Sequence, residues 1–234
     1  MRSNEVRSRS TRGHDDVTDT KQAGRPRAKS EVERQRHPTE VRRRLVIESA
    51  RDLIADKGLF NVQIRDISRA CGVSPGTITY HFRSLEEVLW EVVKAETAEF
   101  YIPLREAVAN SQDNKATQLL SFLSGLFRPD ADTRRHWMIW LDFWSAAARE
   151  DSYGEWMNEH YNAWWDALTG IIEQGVADGE FICGDPRNFA VWTSSIVDGL
   201  AIQCYSKKAR ITVAEAQWYL LRHVREGLGL SEPE

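Results

Sequence analysis

The stretch KGLFNVQIRDISRACGVSPGTITYHFRSLEEVL, residues 57–89, restricts what this chain can fold into more than any other. Inside it Gly72, Ser74, Pro75 and Gly76 fall within five positions. Neither one helix nor one strand accepts that punctuation, because Gly and Pro both interrupt regular backbone. The stretch therefore separates two short helices. In the first, Ile64, Ile67 and Ala70 share a face while Arg65, Asp66 and Arg69 point elsewhere, and Gly72 ends it. In the second, Ser74 is placed to cap the helix and Pro75 stands in its first turn, where a missing N–H costs little. Ile78 and Phe82, with Val73 just before, face inward, whereas Thr77, Thr79, Tyr80 and His81 face outward or sideways. A longer helix precedes both. It carries Leu45, Ala50, Leu53 and Ile54 on one face and stops at Lys57-Gly58, a cation in the last turn followed by a residue that tolerates the left-handed conformation. A long helix followed by two short ones across a tight Gly turn is a helix-turn-helix.

Charge supports a polyanion as the partner of this region. The net charge of −4 hides an asymmetry: residues 1–85 hold 18 Lys/Arg against 11 Asp/Glu, while residues 86–234 hold 13 against 24. A helix exposing hydroxyl, phenol and imidazole groups on a basic head suits the major groove of DNA, with Gly76 letting backbone approach a phosphate near the helix N-terminus. The first 38 residues contain ten Lys/Arg and six acids with almost no large apolar side chains. Such a segment cannot bury enough surface to offset chain entropy and reads as a disordered basic arm. Within it Arg25, Arg27 and Lys29 flank Pro26, a pattern similar to arms that enter the minor groove, and equally to a solvated tail.

These residues resemble the DNA-binding head of the tetracycline-repressor (TetR) family. The resemblance spans roughly residues 40–90 and is carried by Gly58, Ile67, Gly72, Val73, Ser74, the Gly76-Thr77-Ile78 run, His81-Phe82 and Glu86-Glu87-Val88-Leu89. It implies a dimeric, all-α transcriptional regulator, usually a repressor, with a larger C-terminal domain that binds a small effector. The residues implied to contact DNA are Gln63 and Arg65 at the start of the second helix and Ser74, Pro75, Gly76, Thr77, Thr79, Tyr80 and His81 on the third. Leu85 stands where that family usually has Lys, so Arg83 is the expected phosphate contact. Thr79, where many members have Tyr, resembles the branch that controls choline–betaine metabolism, and IVDGLAIQ followed by ITVAEA resembles the same branch in the C-terminal half.

The remainder reads as six helices, near 84–109, 114–128, 131–149, 152–177, 186–207 and 212–229, without convincing strand alternation. Pro103 is expected to kink the first of these or to end a segment. Two carry aromatic stripes: Trp137, Trp140, Leu141, Trp144 and Ala148, then Met157, Tyr161, Trp164, Trp165, Leu168 and Ile172. Stripes of this kind are packed core or the walls of a ligand cavity. The expected cavity is lined by Phe122, Trp137, Trp140, Trp144, Tyr161, Trp164, Trp165 and Trp192. No carboxylate lies in phase with the stripes, and Asp142 and Asp166 are expected in solvent, so an apolar ligand and a cation stand equal. The helix after Pro186 shows apolar residues on two faces and so needs two partners; the family resemblance implies a subunit interface formed by this helix and the next, with Asp198, Gly199, Ile202, Trp218 and Leu221. Asp198 is the one odd charge in that segment, suited to anchoring a cation or to a hydrogen bond where helices cross.

The expected organisation is a basic arm (1–38), a helix-turn-helix domain (39–84) and an effector-binding and dimerisation domain (85–234), all-α throughout. Expected partners are a double-stranded operator, a second copy of the chain and a small effector; no cofactor, metal or membrane is expected. Cys71, Cys183 and Cys204 are odd in number and far apart, which suits a reducing cytoplasm and neither a disulfide framework nor a zinc site. The chain contains no G-x-S-x-G, Walker loop or H-E-x-x-H, which argues against an enzyme. The alternatives are a DNA binder that ignores small molecules and, more distantly, a small helical enzyme.

Overall fold

A computed structural model describes residues 39–231. Among them lie nine α-helices: α1 (Thr39–Lys57), α2 (Ile64–Cys71), α3 (Pro75–His81), α4 (Leu85–Ala109), α5 (Lys115–Gly125), α6 (Ala131–Ala147), α7 (Asp151–Ala177), α8 (Pro186–Tyr205) and α9 (Val213–Leu228). The arm residues Arg25, Arg27 and Lys29 fall outside the described residues.

Helix boundaries follow local chemistry. Side-chain oxygens of Ser74, Ser84, Asn114, Asp130, Asp185 and Thr212 each accept a backbone N–H three residues on, satisfying donors that a helix start leaves unpaired. Gly72, with φ 69°, turns the chain between α2 and α3, and Gly58, with φ 89°, closes α1; both conformations favour a residue without Cβ. α4 runs through Pro103 without ending there, so of the two expectations the end of a segment fails.

The head is a small core in which Val46, Ala50 and Ile54 of α1 pack with Ile67, Ile78 and Phe82. Two sequence expectations fail by one residue of helical phase. Val46 replaces the exposed Leu45 on the inner face of α1, and half-buried Cys71 replaces exposed Ala70 on α2. α1 also packs on α4 and α6, so the head leans directly on both of these helices. α6, α7, α8 and α9 pack in succession, and α5 sits against α4, α7 and α9.

Candidate DNA-reading and effector sites

The head presents α3 to solvent. Ser74 Oγ accepts the Thr77 N–H at 3.1 Å and lies 2.8 Å from Thr77 Oγ1, so the cap and the half-buried Thr77 hydroxyl hold each other. The Thr79 hydroxyl donates to the Gly76 carbonyl at 3.2 Å, which occupies it locally. Tyr80 is 83% exposed and projects its phenol away from the core. His81 is half-buried, edge-on to the Tyr80 ring at 5.1 Å, and its Nε2 is shielded without a protein partner. Gln63, Arg65 and Arg83 are exposed along the same head. The Gln63 N–H donates to Asp66 Oδ2 at 3.2 Å, fixing the start of α2 beside α3.

The second site lies where α4, α6, α7 and α8 meet. Trp137, Trp140 and Trp144 of α6, His160, Tyr161 and Trp164 of α7, and Tyr101 of α4 surround a small cavity of about 20 Å³, closed by Val197 and Asp198 of α8. Ring centroids are 5.0 Å apart for Trp140–His160, 5.3 Å for Tyr101–Trp164 and 6.1 Å for Trp140–Trp144. The polar edges of the rings are tied down: Trp137 Nε1 donates to the Leu126 carbonyl at 2.8 Å, Trp164 Nε1 to Ser194 Oγ at 2.8 Å and Trp144 Nε1 to the Tyr161 hydroxyl at 3.0 Å. Tyr161 in turn donates to Asp198 Oδ2 at 2.5 Å. The buried Trp140 N–H has no protein acceptor.

Electrostatically the cage holds one acid. Burial pushes the Asp198 carboxyl up to about 6, opposed by the bond from Tyr161. No Lys or Arg among the described residues pairs with it. His160 is brought down to about 4, first by burial and then by nearby His136, and is neutral at pH 7. Burial raises the Tyr101 and Tyr161 phenols, so both are neutral. The cage is therefore a set of ring faces around a single carboxylate, an arrangement that attracts an organic cation.

A buried polar run joins this cage to the head. Arg51 on α1 donates to Glu96 Oε2 from Nε and Nη2 at 2.9 and 2.7 Å, and also pairs with Glu48 and Glu99. Glu96 Oε1 lies 3.2 Å from His136 Nδ1, and His136 Nε2 lies 3.3 Å from the Tyr101 hydroxyl. Burial lowers the His136 pKa, so the ring is neutral; its Nδ1–H donates to the carboxylate and its Nε2 accepts from Tyr101. Burial alone would raise Glu96, but His136 and Arg51 together hold it below the usual carboxylate range.

Several sequence-derived site residues lie elsewhere. Trp165 and Trp192 line neither this cage nor the larger cavity beside it. Trp165 stacks on Tyr161 and lies under the Arg187 guanidinium, and Trp192 is 58% exposed on α8. Phe122 lines the larger cavity, its ring 5.4 Å from Trp164. Asp198, placed by sequence with the interface residues, turns inward to the cage. Asp142 is half-buried rather than fully in solvent; it accepts the Leu59 N–H at 2.8 Å and ties α6 to the head, whereas Asp166 is exposed and pairs with Arg187 at 2.6 Å. Gly199 and Leu221 are half-buried, and Ile202 and Trp218 remain 46% and 54% exposed. Tyr101 and His160 were missed, although a signal existed. Val93, Thr97 and Tyr101 follow helical spacing on α4, and Trp156, His160 and Trp164 do so on α7.

Comparison with known proteins matches both parts of the chain to one family. Residues 46–92 match the model for bacterial regulatory proteins of the tetR family, and residues 115–229 match that for the C-terminal domain of BetI-type transcriptional repressors. The chain is 30% identical over 201 residues to the transcriptional regulator BetI of Cronobacter sakazakii, covering 82% of this chain and 94% of that one. It is 26% identical over 188 residues to the transcriptional repressor KstR2 of Rhodococcus jostii, covering 80% and 91%. A transcriptional regulator of Saccharomonospora viridis, solved in complex with choline, superposes with a TM-score of 0.75 at 26% identity over 82% of this chain and 98% of that one. The chain belongs to the TetR family of transcriptional regulators, as a DNA-binding repressor under small-molecule control and not an enzyme.

Proposed function

We propose that this repressor reads a pseudo-palindromic operator as a dimer and is released from it by a small organic cation, of the quaternary ammonium class, held in the α6–α7–α8 cage. The observation that carries this reading is the inward carboxylate of Asp198 at the end of an aromatic enclosure. The choline bound by the Saccharomonospora viridis relative supports the same class of ligand. On DNA, α3 enters the major groove with Tyr80 and Thr77 as reading side chains and Arg65, Gln63 and Arg83 on phosphates. The exposed apolar residues Ile202 on α8 and Trp218 on α9 form part of the contact with a second copy. Two recognition helices about 34–36 Å apart then fit successive major grooves.

Control follows from geometry. The cage is about 20 Å³, room for roughly one water, so an ammonium head must part its walls and compete for the Tyr161–Asp198 bond. The run from Tyr101 through His136 and Glu96 to Arg51 connects that wall to α1 of the head. A ligand that favours the opened wall shifts the dimer toward a spacing that does not match DNA, by no more than its difference in affinity for the two states. Titration with choline, followed by tryptophan fluorescence and by operator release, tests the reading. Saturable quenching with release is expected for the wild type, and neither for Asp198→Asn. Equal responses from both proteins would refute the cage.

A further inference from the structure

Tyr101, His160 and Trp164 are walls of two cavities at once. On one side is the cage; on the other is a space of about 750 Å³ between α4, α5 and α7. Its lining is largely apolar, with Ile102, Val108, Phe122, Trp156 and Ile171 contributing side chains. Its charged lining residues are Lys94, Arg105, Lys115 and Asp166. Asp166 is committed to Arg187 at 2.6 Å. Lys94 is held by Glu91 at 2.5 Å and Lys115 Nζ donates to Gln118 at 3.4 Å, while no ion pair engages Arg105 among the described residues.

A space of this volume is in the range that encloses a drug-sized ligand. It is far larger than a bare ammonium head requires, and it is contiguous with a cage too tight for one at rest. We propose that cage and cavity are two compartments of one effector site, and that the effector is an ammonium amphiphile whose cationic head enters the cage while an apolar tail of several carbons lies in the larger cavity. This rests on the cage reading above and deepens it. The shared wall is the passage between the compartments. Burial of the tail offsets the cost of parting that wall, which a head alone must meet from its own contacts. The cations at the cavity oppose a second positive charge on the tail, so the site rejects polyamines and bis-ammonium compounds by repulsion.

Calorimetric titration of the full chain at pH 7.5 tests this with four probes: choline, hexyltrimethylammonium, hexanoate and a six-carbon bis-ammonium. Each methylene removed from water should strengthen binding by about threefold to fourfold, so the hexyl compound should bind at least about a hundredfold tighter than choline. The bis-ammonium should bind more weakly than the hexyl compound, and hexanoate should not bind measurably. Ala167→Trp, on an exposed position of the cavity lining, should bring the hexyl compound down toward the affinity of choline. Equal affinities of choline and hexyltrimethylammonium would overturn the two-compartment site and leave the cage reading intact. Hexanoate binding as tightly as the hexyl compound would also overturn it, because the cavity would then act alone. Failure of every cation to bind, or binding unchanged in Asp198→Asn, would remove the cage reading and this inference with it.

Discussion

In the proposed function, Asp198 is where ligand binding and stability pull in opposite directions. Its carboxyl is pushed up to about 6 by burial, against roughly 3.9 in an unfolded chain. Between those values the folded state holds the extra proton, so stability falls as pH rises from about 4 through about 6 and stays lower above. Asp198→Asn should therefore keep or raise the melting temperature at pH 7.5 without ligand while abolishing binding of choline. A lower melting temperature would mark the residue as structural. Ligand affinity has its own pH dependence. Tyr101 and Tyr161 stay neutral because burial raises both, and His160 is neutral above about 4. Asp198 alone titrates in the cage near pH 6, so affinity for a cation should fall below that pH, approaching about tenfold per unit. Calorimetry between pH 5 and pH 8 checks this.

At the level of the element, α3 and the α1–α4–α6 contact divide reading from support. Tyr80 supports no core, being 83% exposed, so Tyr80→Ala should leave thermal stability within error. It should weaken operator binding by about 1–3 kcal/mol if the phenol makes a base contact. Fluorescence anisotropy at fixed salt would detect the change, and unaltered affinity would remove Tyr80 from the reading surface. Glu96 is the opposite case. It lies between Arg51 and His136 with almost no exposure, and breaking a buried pair leaves an uncompensated charge. Glu96→Gln should cost about 3 kcal/mol at pH 7.5, the lower end of the usual range because Glu48 and Glu99 also face Arg51. The pKa of Glu96 is depressed in the folded state, so its contribution is present above about 4.3 and disappears as pH falls through the folded value. Urea melts should accordingly show the gap between wild type and Glu96→Gln closing in acid.

For the whole molecule, DNA binding depends on two copies and on ionic contacts. Ile202→Glu places a charge on an exposed face of α8 and should leave the fold intact while shifting sedimentation toward the monomer, with loss of tight operator binding. A dimer that persists would move the interface off that face. Deleting residues 1–38 removes ten Lys/Arg. If several of them neutralise phosphates, the slope of log affinity against log salt should flatten by nearly one for each lost contact. An unchanged slope would make the arm a solvated segment.

The sequence by itself determined what is local. Helix starts at Ser74, Asp185 and Thr212, the turn at Gly72 and the exposed face of α3 depend on residues within a few positions of one another, so spacing and side-chain type were enough to find them. It also marked Trp137, Trp140, Trp144, Tyr161 and Trp164 as a group, because a stripe is a property of one helix. What only the tertiary structure decided is the sign of the cavity. A count of helical phase along α6 and α7 finds no carboxylate on their aromatic faces, since the carboxylate comes from α8, 37 residues beyond Tyr161. Helix crossing likewise brought Tyr101 and His160 to the cage, half-buried Asp142 against the Leu59 N–H, and left Trp192 outside. Phase along one helix fixes which residues share a face, but which face meets which neighbour depends on how the helices pack around the common core.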